Sequence, residues 1–212
     1  MPAVAIDRRY LLMVGAGATI AAAIRPGTAC AAVDPAVVAP IQGLYDSLLR
    51  IMRAGTRTPF SQRFDMLAPA VDRALDLATI LQVSVGPMWN SLSADQHAAL
   101  FAAFRRYSIS SYVSSFNTFT GQRFVIEPDV RSGGANQIIL QTKIIPASGE
   151  THELDYVMRQ TGPNWKAVDV LADGAISRVA TQRSDFRSFL MHGGGDALLA
   201  SLQRKAADLA SG

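Results

Sequence analysis

The run Gln137-Ile138-Ile139-Leu140-Gln141-Thr142-Lys143-Ile144-Ile145, the turn material Pro146-Ala147-Ser148-Gly149, and the run His152-Glu153-Leu154-Asp155-Tyr156-Val157-Met158-Arg159-Gln160 read as strand, turn, strand. Ile138, Leu140 and Ile144 share one face of the first run; Leu154, Tyr156 and Met158 share one face of the second. A period of two is that of a pleated strand half-buried on a core. Two further runs of this kind flank the pair. Arg123–Glu127 precedes Ser132-Gly133-Gly134-Ala135-Asn136, and Trp165–Leu171 follows Thr161-Gly162-Pro163-Asn164. Connections this short join antiparallel neighbours, so the four strands predict a meander.

Upstream of Gln122 the period is that of a helix. Asp34-Pro35 supplies a capping side chain and a proline at the first helical position. Val38, Ile41, Leu44, Tyr45, Leu48, Leu49 and Met52 then mark an amphipathic helix to about Arg53, and Gly55 ends it. Residues 59–67 predict a short helix offering Phe60, Phe64 and Leu67, and Pro69 opens another that carries Val71, Leu75, Ala78 and Leu81 as far as Gly86-Pro87. Ser93-Ala94-Asp95-Gln96 is a capping box. The helix it starts is expected to reach about Phe119, with Phe101, Phe104, Tyr112, Phe116 and Phe119 on its apolar face. Beyond Asp173-Gly174 the pattern is helical again through Phe186, Phe189 and Leu190; a glycine break at 193–195 precedes a last helix with Leu198, Leu199, Leu202 and Leu209. Helices, then a curled four-stranded antiparallel sheet, then closing helices make an α+β chain.

The first 32 residues read differently. Arg8-Arg9, an apolar run from Tyr10 to Ile24, and the small residues Ala29-Cys30-Ala31-Ala32 stand in the order of a secretory signal, with a hint of the twin-arginine route. An apolar run of about 15 residues is short for a membrane span of roughly 20, which favours a cleaved leader over an anchor. The expected division is a signal peptide at 1–32 and one domain at 33–212, helical over 33–120, sheet over 121–173 and closing helices over 174–212. The chain of 212 residues is 49% hydrophobic and 17% charged, with mean hydropathy +0.17, too apolar for a disordered tail. Its formal charge of +3 comes largely from Arg8, Arg9 and Arg25 against Asp7; residues 33–212 hold 17 basic and 16 acidic side chains, no footing for nucleic-acid binding.

Catalytic chemistry is hard to find. His97, His152 and His192 have no ligand-like spacing, and His97 and His152 read as solvated. The sole cysteine, Cys30, lies in the leader, so neither a metal nor a cofactor is expected. Asp72 and Asp76, with Arg73 beside them, read as a polar outer helix face; Asp155 and Asp169 read as the wet side of a sheet. Gly193-Gly194-Gly195 lacks the strand and lysine of a phosphate loop. What is in surplus is aromatic and methionine side chains, which either fill or line the hollow that a curled sheet and its helices enclose.

The order of motifs along the chain resembles the MlaC family of periplasmic toluene-tolerance proteins. The matching segments are Phe64-Asp65-Met66-Leu67-Ala68-Pro69-Ala70-Val71-Asp72, Gly86-Pro87-Met88-Trp89, Leu92-Ser93-Ala94-Asp95-Gln96 and Ser111-Tyr112. They continue with Gly121-Gln122-Arg123-Phe124, Tyr156-Val157-Met158, Trp165-Lys166-Ala167-Val168-Asp169-Val170 and Arg183-Ser184-Asp185-Phe186. In Asp173-Gly174-Ala175-Ile176-Ser177 one residue, Ala175, is additional to the family pattern, which is closer to the hopanoid-associated HpnM branch. The resemblance implies a cone-shaped fold like that of nuclear transport factor proteins, elaborated by a helical subdomain. It also implies a lipid shuttle, with phospholipid or hopanoid as cargo. The partners would be an inner-membrane ABC lipid transporter complex and an outer-membrane lipoprotein complex.

On that reading the lipid-lining candidates are Leu48, Phe64, Leu75, Leu81, Trp89, Phe101, Phe104, Tyr112, Phe116, Ile138, Leu140, Ile144, Leu154, Tyr156, Met158 and Val168. Arg123 and Arg159 are read as solvated surface rather than headgroup contacts. Two other functions stay open: a cone-fold enzyme using Asp169 with Tyr156, and an envelope adaptor whose large side chains fill the hollow.

Overall fold

A computed structural model describes residues 33–134 and 136–211; the leader reading of 1–32 lies outside the described residues. Strands β1 (Arg123–Ser132), β2 (Gln137–Ile145), β3 (His152–Thr161) and β4 (Asn164–Ala172) form the expected meander in the order β1-β2-β3-β4, every neighbour antiparallel. Leu140 pairs with Tyr156 and Ile138 with Met158, so the faces read from alternation meet across the ladder. The sheet has a fifth strand that periodicity did not reveal, β5 (Ile176–Ser177), paired with Leu171 and Ala172. Two residues are too few to carry a period. The tight turn into it depends on positive φ at Asp173 (51°) and Gly174 (69°). Bulges interrupt β1 between Ile126 and Val130 and the β3–β4 ladder at Val157/Met158, adding local bend and twist.

Helix α1 (Pro35–Ala54) starts where Asp34 accepts the Ala36 N–H at 2.9 Å and stops at Gly55, whose φ is +66°. The expected break near Pro69 is absent: α2 runs from Phe60 to Ala74 with Pro69 inside it. The chain breaks instead at Leu75, which bridges to Ala167 of β4 while the Asp76 N–H donates to the Ala167 carbonyl at 2.9 Å. A tertiary contact with the sheet, not the proline, sets that boundary. Asp76 then caps α3 (Leu77–Val85) through the Thr79 N–H, and a 3₁₀ turn follows at Gly86–Ser91. Helix α4 (Ala94–Ser115) has both halves of its capping box but ends four residues early, with Phe116 as its C-cap. Helix α5 (Arg178–Ser211) is two helical runs joined at a kink, Gly193 and Gly194 being non-helical.

Helices α1 and α2 pack together, α4 packs on α5, and all four touch the core that the sheet's inner face closes. Within it the Tyr45 ring stacks on Phe124 at 4.6 Å. The Thr142 hydroxyl donates to the Leu154 carbonyl, which leaves its oxygen to accept from the Tyr45 hydroxyl and ties α1 to β2.

Asp155 departs from the alternation. It is 2% exposed rather than on a wet face. Pairing of β2 with β3 lapses between Leu140↔Tyr156 and Lys143↔Glu153, and the Asp155 carboxylate fills the gap by accepting the Thr142 N–H at 3.3 Å. Arg131 of β1 neutralises it. His97 also departs. It is half-buried, its ring stacked 3.9 Å from that of Trp89 and its Nε2 2.9 Å from the Trp89 carbonyl oxygen. Asp72 holds Arg105 through two hydrogen bonds of 2.8 and 2.6 Å, a half-exposed bidentate pair worth about 1 kcal/mol at most.

Candidate functional site

The concave side of the sheet does not close completely on its helices. A cavity of about 310 Å³ remains between β2–β4, the α2–α3 junction, α4 and the start of α5. The sheet contributes Ile144, Leu154, Val170 and Ala172; the junction adds Leu75, Leu77 and Ile80. Helix α4 supplies Phe104, Tyr107, Ser108, Ser111, Tyr112 and Ser115, with its cap Phe116, and α5 supplies Arg178, Val179 and Gln182. Leu75, Leu77, Ile80, Phe104 and Val179 are buried, whereas Ser115 and Arg178 are exposed, which gives the cavity an apolar depth and a polar rim. A wall of this kind binds by excluding water from apolar surface.

The fold brings together six of the sixteen residues singled out in the sequence: Leu75, Phe104, Tyr112, Phe116, Ile144 and Leu154. The others lie elsewhere. Leu48, Leu81, Leu140, Tyr156 and Met158 are at 0% exposure inside the core, and Ile138 packs against that core. Phe64 lines a separate surface groove with Phe60 and Arg106. Trp89 is engaged with His97. Phe101 is 38% exposed, because the buried stripe of α4 runs through Leu100, Ala103 and Phe104 instead. Val168 shares parity with Val170, but the bulge opposite Val157/Met158 puts Ala167 inward, at 0% exposure, in its place.

Sequence reasoning missed the serines. Ser108, Ser111 and Ser115 lie three and four residues apart around Tyr112, a helical spacing that marks one face of α4. Attention to aromatic side chains alone passes over them, although small residues are what leave a helix face room for a cavity.

Polar groups near the cavity are largely committed. Asp169 accepts from Val170 N–H (2.7 Å), Val179 N–H (3.1 Å) and the Ser177 hydroxyl. It is a helix-capping group, and Tyr156, the partner considered for acid–base work, is not among the lining residues. Arg159 is held by Asp76 at 3.3 Å and by the Thr79 hydroxyl at 2.9 Å, whereas Arg123 is exposed at the start of β1. Among the described residues, no three His, Cys, Asp or Glu side chains are grouped to hold a metal ion.

Burial pushes the Tyr112 phenol up to about 12, and raises Tyr45 and, further still, Tyr156. In the unfolded chain these groups ionise near 10, so above that pH the folded state holds protons that the unfolded state has released. The contribution of Tyr112 is complete below about pH 10 and is lost as the pH rises toward about 12, and those of Tyr45 and Tyr156 change in the same direction. Urea midpoints measured from about pH 8 to about pH 12 should be level at first and then fall steeply, and a midpoint unchanged at the upper limit contradicts this account.

The fold is thus α+β, with an antiparallel sheet whose helices leave an apolar hollow with a polar rim. The chain belongs to the MlaC family: the family's sequence model, described as MlaC protein, matches residues 42–204. The chain is similar to the intermembrane phospholipid transport system binding protein MlaC of Haemophilus influenzae, 26% identical over 125 residues. That stretch covers 58% of each chain, somewhat over half of the relative's length. The fold is similar to that of the phospholipid-binding protein from Ralstonia solanacearum solved in complex with a phospholipid. The TM-score is 0.70, covering 82% of this chain and 98% of that one, at 18% identity.

Proposed function

We propose that this chain is a lipid carrier that holds the acyl part of a phospholipid in the cavity. The observation that carries the reading is the unfilled apolar wall between sheet and helices, about 310 Å³ in volume. That is the low end of the roughly 300–1,000 Å³ usual for ligand sites, suited to a tail rather than to a whole lipid. Burying a chain of about 16 carbons yields up to roughly 12 kcal/mol, at about 0.8 kcal/mol per methylene, so apolar walls suffice without a cofactor or a catalytic step. An adaptor with a filled core has no use for such a void.

Family membership and the phospholipid named for both similar proteins support phospholipid over hopanoid as cargo. The leader read at 1–32 supports export to a periplasm. A carrier there would exchange lipid with an inner-membrane ABC transporter complex and an outer-membrane lipoprotein complex. Native mass spectrometry of residues 33–212 expressed to the periplasm, with lipid extraction of the same sample, tests the reading. Co-purified phospholipid is the expected result. Hopanoid alone in the extract would transfer the assignment to that cargo, and a chain still empty after incubation with vesicles of both lipids would overturn it.

A further inference from the structure

We propose that Arg178 is the anion anchor at the rim of this cavity, selecting tails that carry a phosphate over neutral lipids of the same tail; this rests on the carrier reading above. Three observations meet at this residue. Arg178 lines the cavity and is exposed, whereas Leu75, Leu77 and Phe104 of the same lining are buried. An amphipathic ligand with its tail against the buried residues turns its polar end toward the exposed ones, and Arg178 is the cation among them.

The guanidinium is also unspent. Among the described residues it makes no hydrogen bond or ion pair, whereas Arg105, Arg131 and Arg159 are each committed to an aspartate. A planar guanidinium offers two parallel donors to a phosphate, which makes an unpaired arginine beside an apolar site a good recognition element.

Finally, the backbone on either side is pinned. The Ser177 hydroxyl and the Val179 N–H both donate to Asp169, so the α-carbon of Arg178 is held at the rim while its side chain remains free to reach a ligand. The Val179 and Ala180 amides at the start of α5 are already used by Asp169 and Ser177. The guanidinium, rather than the helix end, is thus the group offered to an anion. Asp169 is the carboxylate among the lining residues, and its three donors offset its repulsion of a phosphate. The Tyr112 phenol lies within the electrostatic reach of Arg178 and adds a hydroxyl to the same lining.

The test incubates the chain of residues 33–212 with vesicles holding phosphatidylglycerol and diacylglycerol of identical tails, then extracts and counts the lipid bound. Wild type should favour phosphatidylglycerol. Arg178→Ala should reduce that preference about tenfold with diacylglycerol uptake unchanged, and Arg178→Lys should restore part of it. Arg187→Ala, an exposed position further along α5, should keep the wild-type ratio. A wild-type ratio in Arg178→Ala with normal total uptake overturns the anchor and leaves the carrier reading standing. Uptake of neither lipid by wild type overturns both. Wild type that binds millimolar inorganic phosphate through Arg178 yet shows no preference for phosphatidylglycerol would make this a free-phosphate site and overturn the headgroup assignment.

Discussion

Ser108→Trp should lower bound lipid by about tenfold or more while leaving the thermal midpoint within a few degrees of wild type. Ser108 lies on the face of α4 that lines the cavity, half-buried, and its hydroxyl has no partner among the described residues. The substitution therefore forfeits no hydrogen bond. Serine and tryptophan also have similar helix propensities, so α4 itself is undisturbed. An indole directed into 310 Å³ of empty space takes volume that an acyl chain needs. Overpacking costs about 1–3 kcal/mol where a core is already full, and here the added atoms enter a void. Co-extraction of lipid with the purified variant, beside a melting curve, makes the measurement. Normal lipid content in a folded Ser108→Trp variant would remove this cavity from consideration as the lipid site. Phe101→Ala is the matched comparison: it lies on α4 but is exposed outside the cavity, and should retain its lipid.

The second large effect is on stability alone. Leu48→Ala should cost about 3 kcal/mol and lower the melting temperature by roughly 6–12 °C, with lipid content per folded molecule unchanged. Leu48 is at 0% exposure in the cluster where α1 meets the rest of the core, and it lines no part of the cavity. Truncation leaves a hole whose surroundings, packed at crystal-like density, relax only in part. Calorimetry and lipid extraction on the same preparation separate the two readouts. A lipid-free but stable Leu48→Ala protein would return Leu48 to the binding wall and redraw the cavity. Phe104, by contrast, serves both roles, buried at 1% exposure and lining the cavity, so its substitution would not separate binding from folding.

Local signals spanning one or two turns are legible in the amino-acid sequence. The Asp34-Pro35 start, the Ser93/Gln96 capping box, the stop at Gly55 and the kink near Gly193 all rest on side chains interacting with backbone a few residues away. Strand faces are legible for the same reason, because alternation is a property of the backbone, and Leu140↔Tyr156 and Ile138↔Met158 meet as the pattern implies. Departures occur where a distant segment overrides the local preference. Pro69 stays inside α2 because the break comes where Leu75 reaches Ala167, a residue far along the chain in β4. Val168 loses its inward place to Ala167 through a bulge, and a shift of one residue reverses every side chain beyond it.

The sequence by itself determined the α+β class, the order of elements, the antiparallel meander and the family resemblance, since each depends on period, capping or motif order along one strip of chain. The tertiary structure alone decided which apolar residues are wall and which are filling. Leu48, Leu140 and Met158 are as apolar as Leu75, Ile144 and Leu154, and hydrophobic periodicity records only that all six avoid water. Whether a buried face meets another side chain or an empty volume depends on how sheet curl, two bulges and the α2–α3 break set the distance between layers. That distance is a sum over long-range contacts, and no window of sequence contains it.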